Sequence, residues 1–152
     1  MLDTIHGLPV HPLVVHAVVV LLPLAILGTI AIVVRPRWRR PYGPLVLAVT
    51  AAATVLIPVA TSSGEALEHH VGDPGRHAQL GDQLIWFALP LLVVVAAIVW
   101  LDRRPPRSAP TWLPAAVSVL AVVLAVAAGV QVYRVGDSGA RAAWGDQVTA
   151  TR

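Results

Sequence analysis

The sequence has no cysteine and no lysine, and only 12% of its 152 residues are charged. The absence of cysteine excludes disulfides, thiolate catalysis and cysteine-ligated metal centres within this chain. Soluble domains carry about twice this fraction of charged residues. Aromatic residues make up only 5% of the chain and hydrophobic residues 57%, so the apolar bulk is Val, Leu, Ala and Ile. This composition favours a membrane protein over a soluble domain of the same length.

The eleven basic residues are all Arg, and the isoelectric point is near 10.6. A chain this basic invites a nucleic-acid-binding interpretation. Most of the arginines, however, flank apolar runs, where basic residues set the orientation of membrane helices. We therefore expect no nucleic-acid partner and take the lipid bilayer as the environment of the chain.

Four long apolar runs predict four transmembrane helices, at about residues 12–34, 44–68, 78–101 and 112–133. Each run approaches the roughly 20 residues that a helix needs to cross about 30 Å of hydrocarbon. We expect the first run to be a retained span and not a signal peptide, because the residues before it include Asp3 and no basic residue. The prediction is an all-α, integral membrane four-helix bundle, a single domain over residues 1–152, with a polar tail at 134–152 that is irregular or amphipathic. No internal repeat is clear.

The arginines also predict the orientation. Seven of the eleven lie in two short connections, between spans one and two and between spans three and four, where Asp102 is the one acid. The positive-inside rule places these connections in the cytoplasm of a cell-membrane protein. Trp38, Trp100 and Trp112 would then form an aromatic belt at the cytoplasmic boundary. The expected topology is up-down and antiparallel, with both termini outside.

All six histidines lie on the predicted outer side, with seven of the eight carboxylates. His16 is about one turn inside the first span, where ionisable residues usually face the bundle interior and have a partner. The alternative for His16 is a neutral ring bonded to a backbone carbonyl of a neighbouring helix. His11 precedes Pro12 at the predicted helix start. The two histidines are about 140° apart on a continuous helix, so they share a site only if His11 lies outside the regular turn.

Five polar residues and Pro58 recur every three or four positions in the second span, at Thr50, Thr54, Pro58, Thr61, Glu65 and His69. This spacing predicts one helix face that points into the bundle and ends in acidic and imidazole groups. The alternatives are threonines that only assist helix packing and a solvated helix end at Glu68, His69 and His70. Gly81, four residues after His77, would let a helix approach closely. Ala121, Ala125 and Gly129 predict a small-residue packing face in span four.

The string His11-Pro12-Leu13-Val14-Val15-His16 resembles the opening of a bacterial family of predicted membrane proteins, domain of unknown function 2231. Similar to the family are also Thr61–Glu65, His77-Ala78 and the stretch from Tyr133-Arg134 to Gly136-Asp137-Ser138-Gly139. The resemblance covers nearly the whole chain and implies four helices. Some members look fused or adjacent to Rieske or cytochrome modules. The resemblance therefore also implies proximity to membrane electron transfer. The chain departs from many members at Ala17, where an aromatic residue commonly follows the second histidine.

These patterns leave several functions open. The first is a metal- or haem-binding membrane subunit linked to electron transfer, with a redox partner on the extracytoplasmic side. Imidazole and carboxylate suit several transition metals, and two histidines can hold a haem iron. The candidate haem ligands are His16, His77 and His11, and the candidate metal ligands are His16, Glu65, His69, His70 and His77. We expect His16, Glu65 and His77 to converge near the outer end of the bundle.

The alternative is a structural or partner-binding membrane subunit without a cofactor, in which the histidines are ordinary interfacial polarity. A transporter is less favoured: Pro23, Pro58 and Pro90 interrupt three spans as in transport sites, but no charge is buried at mid-membrane. No catalytic residue is predicted, because Ser62 and Ser63 show no nucleophile–base spacing.

Overall fold

A computed structural model describes the backbone of residues 4–5, 8–71, 75–104 and 110–149, and the side chains of 10–68, 75–104 and 110–144. Five helices make up almost all of it: α1 Val10–Val34, α2 Arg39–Val71, α3 Arg76–Gln83, α4 Ile85–Arg103 and α5 Leu113–Thr149. Two short strands, β1 Thr4–Ile5 and β2 Leu8–Pro9, pair in antiparallel register before α1. A 3₁₀ turn at Pro36–Trp38 joins α1 to α2.

Four stretches of this structure are long and apolar enough to cross a membrane: α1, α2 with the turn before it, α3 with α4, and α5. The all-α fold and the four candidate spans are therefore confirmed. Large apolar side chains cover the outside of the bundle; Val20 is 63% exposed and Leu27 is 64% exposed. Soluble proteins do not expose so continuous an apolar surface.

Two boundaries differ from the sequence-based expectation. The third span divides into α3 and α4 at Leu84, where the backbone N–H of Leu84 bonds to the carbonyl of Gly81, three residues back. The polar tail expected from residue 134 continues α5 as a helix as far as Thr149. That tail contains Ala140, Ala142 and Ala143, which favour helix.

Proline sets two helix ends. Arg35 has φ −121° and ψ 84°, and Arg104 has φ −81° and ψ 153°. Each of these residues precedes a proline in the sequence, and the proline ring disfavours the helical conformation for the residue before it. The chain therefore leaves the helix at Arg35 and Arg104.

The four spans pack in a closed ring, in which α1 contacts α2, α2 contacts α4, α4 contacts α5 and α5 contacts α1. The short helix α3 packs mainly on α5 and α2. Small residues line the centre of the bundle. Ala53, Ala88, Ala121, Ala125 and Ala128 are all completely buried. Such residues allow helix backbones to approach closely where lipid supplies no hydrophobic driving force between helices.

Contacts define the two ends of the ring. At the histidine end, His11 near the start of α1 contacts Ala60, two thirds of the way along α2, and His77 at the start of α3 contacts Val135 of α5. At the arginine end, Nε of Arg39 donates to the carbonyl of Ile32, near the end of α1. Nη2 of Arg39 donates to Oγ of Ser118 near the start of α5.

Candidate functional site

The first polar contact at the histidine end is the His11 clamp, formed by His11, Ala60, Ser63 and Gly64. Nδ1 of His11 lies 2.9 Å from the carbonyl oxygen of Ala60 and 3.4 Å from Oγ of Ser63. The Ser63 hydroxyl donates to the same carbonyl over 3.0 Å. The ring lies directly on Gly64, because an added Cβ there would be 3.0 Å from Cε1 of His11. An alanine at position 64 would therefore require the His11 ring to shift by a few tenths of an ångström.

A second contact has the same composition and geometry. In the His77 clamp, Nδ1 of His77 lies 3.2 Å from the carbonyl oxygen of Val135 and 3.3 Å from Oγ of Ser138. Ser138 donates to that carbonyl over 2.9 Å. A Cβ on Gly139 would lie 2.9 Å from Cε1 of the ring. In both clamps, one histidine thus docks on a glycine, on the serine before it and on the carbonyl four residues before it.

Both clamps fix the tautomer of a neutral imidazole. A carbonyl oxygen can only accept a hydrogen bond, so Nδ1 of His11 and of His77 carries the proton and donates. The other ring nitrogen, Nε2, is then unprotonated when the ring is neutral. Both side chains are half-buried.

His16 does not join either clamp. Its side chain is exposed, and its Nδ1 bonds to the carbonyl of Pro12 within α1. The expectation that His16 faces the bundle interior is wrong. Because α1 begins at Val10, His11 lies inside the regular helix, and five residues at 3.6 per turn separate the two rings by about 140°. Since His11 faces α2, His16 faces away from it.

The polar face of the second span points inward only in part. Thr50 and Thr54 are buried, and their hydroxyls donate to the carbonyls of Val46 and Thr50. Pro58 and Glu65 are exposed, so the expectation that this face stays inward to Glu65 is wrong. Each step of four residues turns the helix by about 40°. The stripe therefore leaves the interior, and Ala60 and Gly64 face α1 in its place.

Among the residues whose side chains the structure describes, no three His, Asp or Glu residues lie close enough to hold a metal ion. The side chains of His69 and His70 lie outside the described residues, as does His6. Gly81 does not serve as a close helix contact, because an added Cβ would have no described neighbour within 4 Å.

Sequence reasoning missed the role of Gln131. This residue is 1% exposed in α5, and its Nε2 donates over 2.9 Å to the carbonyl of Leu80 in α3. Leu80 lies just before the break between α3 and α4, where Leu84 bonds to Gly81 instead of continuing the four-residue pattern. Gln131 therefore supplies a donor to the backbone where the third span is interrupted. The one sequence feature that could have indicated this role is the position of Gln131, an amide directly after the last apolar run.

Comparison with known proteins gives one match. A family model described as "Predicted membrane protein (DUF2231)" matches residues 7–152. No curated protein and no solved structure matches the chain. The match covers all four spans and both clamps, so the resemblance inferred from the histidine and glycine motifs is confirmed.

Proposed function

We propose that this chain, which belongs to the DUF2231 family of predicted membrane proteins, is a structural, partner-binding subunit of the cell membrane. The observation that carries the proposal is the use of His11 and His77 as interhelical clamps. Each ring donates from Nδ1 to a helix carbonyl and packs closely against a glycine. The polar groups at this end thus hold four helices in place.

The proposed topology is antiparallel and up-down, with the histidine end and both termini outside the cell. Support comes from contacts that pair the start of α1 with the end of α2, and the start of α3 with the end of α5. The arginine asymmetry of the sequence supports the orientation. Cζ of Arg104 lies 3.5 Å from the ring centroid of Trp100 in a cation–π contact, and tryptophan is enriched at membrane boundaries.

The proposed partner surface is the outer extension of α5. This helix has 37 residues, a length of about 55 Å, whereas the hydrocarbon core is about 30 Å thick. Its last described turns carry exposed side chains, including Trp144 at 61% exposure and Arg141, which is paired with Asp137 at 2.9 Å. We propose that an extracytoplasmic protein docks here; the family resemblance makes a redox protein the first candidate.

A metal- or haem-binding role is the second candidate. It is favoured by the tautomer of the histidines: His11, His16 and His77 all bond through Nδ1 to a backbone carbonyl. Metal-ligating histidines are typically oriented in this way, with Nε2 left to the metal. The described side chains, however, form no group of three ligands. His16 and Glu65 are both exposed, and the side chains of the other candidate ligands His69 and His70 lie outside the described residues.

One experiment separates the two candidates. We expect the purified protein to show no Soret band and no stoichiometric metal. His11→Ala and His77→Ala should each lower Tm in detergent by about 3 to 6 °C, through loss of a partly buried hydrogen bond and of ring packing. His16→Ala is the matched control, since its bond lies within one exposed helix face, and it should leave Tm unchanged. A Soret band or one metal per chain that disappears in His11→Ala or His77→Ala would overturn the structural proposal.

A further inference from the structure

We infer that the chain is built from two tandem copies of one helix-pair unit, related by a pseudo-two-fold axis along the bundle. The first unit is α1 with α2, and the second is α3 and α4 with α5. The surface through which each unit packs on the other is accordingly shaped for a second copy of the same unit. This inference goes beyond the proposed function and does not depend on whether anything binds at the histidine end.

The two clamps are the first support. His11 and His77 stand at corresponding starts of the two units, and Ser63-Gly64 and Ser138-Gly139 stand at corresponding places near their ends. The Nδ1-to-carbonyl distances are 2.9 and 3.2 Å, and the Nδ1-to-serine distances are 3.4 and 3.3 Å. Each glycine would place a Cβ within 3.0 Å of the same ring atom, Cε1.

The buried positions follow the same register from each histidine. Counted from His11 and from His77, the residues 7, 11, 14, 18 and 21 positions later are buried in both units. They are Val18, Leu22, Ala25, Thr29 and Ile32 in the first unit, and Leu84, Ala88, Leu91, Val95 and Ile98 in the second. A helical face alone would give these intervals. The duplication also explains why the buried face lies at the same angle around the helix, measured from the histidine, in both units.

The buried positions of α2 and α5, the second helices of the two units, also agree when they are counted backwards from the clamp glycines. The residues 11, 14 and 18 positions before Gly64 are Ala53, Thr50 and Val46, and those before Gly139 are Ala128, Ala125 and Ala121. All six are buried. The register therefore extends over more than two turns of both helices.

The helix contacts have the required symmetry. A half-turn about the bundle axis exchanges α1 with α4 and α2 with α5, which maps the α1–α2 contact onto α4–α5 and the α2–α4 contact onto α5–α1. These four contacts are the ones that close the ring. α1 and the α3–α4 span both start at the histidine end, so the units point the same way. Parallel repeats of this kind are related by an axis along the membrane normal.

The second unit has diverged at one place. The contact between Gln131 and the carbonyl of Leu80 occupies the positions that correspond to Leu56 and Val14 in the first unit, where both residues are apolar and pack on the core. Only the second unit has the break at Leu84. The polar contact and the helix break thus belong together as a feature of one copy.

The test uses the intact chain. Gly64→Ala and Gly139→Ala should lower Tm by amounts that agree within about 3 °C, because each places a methyl group against an equivalent ring. Gly136→Ala is the control and should leave Tm unchanged. Gly136 is on the same helix as Gly139, and no described atom lies within 4 Å of an added Cβ. A loss confined to one of the two clamps would overturn the equivalence.

A transplant tests the register. Residues 60–65 placed at 135–140 supply His77 with the same carbonyl, serine and glycine positions, and Tm should stay within about 3 °C of the wild type. The same six residues placed at 134–139 move the clamp serine to position 137 and the clamp glycine to position 138, a rotation of about 100°, and should lower Tm by more than twice that amount. Equal losses for both transplants, or a greater loss for the in-register transplant, would overturn the duplication.

Discussion

Gln131 lies in a helix that is otherwise apolar at this depth. Its amide donates to the Leu80 carbonyl, and its Oε1 accepts from Nη1 of Arg134 over 3.3 Å. Gln131→Met keeps the length of the side chain and removes both bonds. Because the Leu80 carbonyl would lose its side-chain donor in a buried site, we expect a loss of about 1 kcal/mol in the free energy of unfolding.

The measurement for Gln131→Met is thermal unfolding in detergent, with Val130→Met as the control. Val130 is 55% exposed on the same helix, so methionine there meets lipid or detergent and should not change Tm. A Gln131→Met protein as stable as the Val130→Met protein would show that the break between α3 and α4 needs no donor from α5.

For individual residues, the sequence predicted which side chains in the outer half are polar but not the direction in which they point. His11 and His77 were candidates, and both proved to make interhelical contacts, whereas His16 and Glu65 proved to be exposed. The decisive fact for His16 was that α1 begins at Val10, before His11. Helix ends are uncertain by one or two residues from any pattern, and one residue turns a side chain by about 100°.

The packing pattern of span four did not predict the tight helix contact at Gly28. A Cβ on Gly28 of α1 would lie 2.9 Å from Cγ2 of Val46, whereas a Cβ on Gly129 of α5 would first meet Cδ1 of Ile26 at 4.0 Å. Val46 is 8% exposed and therefore cannot move aside freely. The small-residue face of α5 turns inward through Ala121, Ala125 and Ala128, and Gly129 lies at its edge.

We therefore expect Gly28→Ala to destabilise the bundle by about 1 to 3 kcal/mol, as overpacking of a dense interior does. Gly129→Ala meets ordinary van der Waals contact and gains helix propensity, so its stability should be unchanged or higher by up to about 1 kcal/mol. Chemical or thermal unfolding of the two variants in the same detergent measures the difference. Destabilisation of equal size at both positions would mean that the α1–α2 approach is no tighter than the α1–α5 approach.

The existence of the four spans could be predicted from the sequence because each apolar run is long enough to cross the hydrocarbon and helix alone satisfies its backbone there. The helical continuation of α5 to Thr149 and the break at Leu84 could not. Both lie at the end of an apolar run. Hydropathy does not determine the backbone conformation there, and contacts with the neighbouring helices do. The duplication was hidden because the two units share spacing and few residue identities.

For the molecule as a whole, the orientation in the membrane determines which face could meet a partner, and it rests on the arginines. Five arginines are exposed at the arginine end among the described residues: Arg35, Arg37, Arg40, Arg103 and Arg104. Transferring such charges across the bilayer is costly, so this end should stay in the cytoplasm. The histidine end, with the long extensions of α2 and α5, should then lie outside.

Because the chain has no cysteine, single cysteines give clean topology markers, and uncharged exposed positions leave the arginine count unchanged. We expect Thr111→Cys to react with a membrane-impermeant maleimide only after the cells are opened, and Gln79→Cys and Ala140→Cys to react in intact cells. All three native side chains are exposed, so a failure to react reports the membrane barrier and not burial. Labelling of every variant in opened cells is the internal control. Labelling of Thr111→Cys in intact cells would place the arginine end outside, and the outer docking surface proposed for α5 would then have to face the cytoplasm.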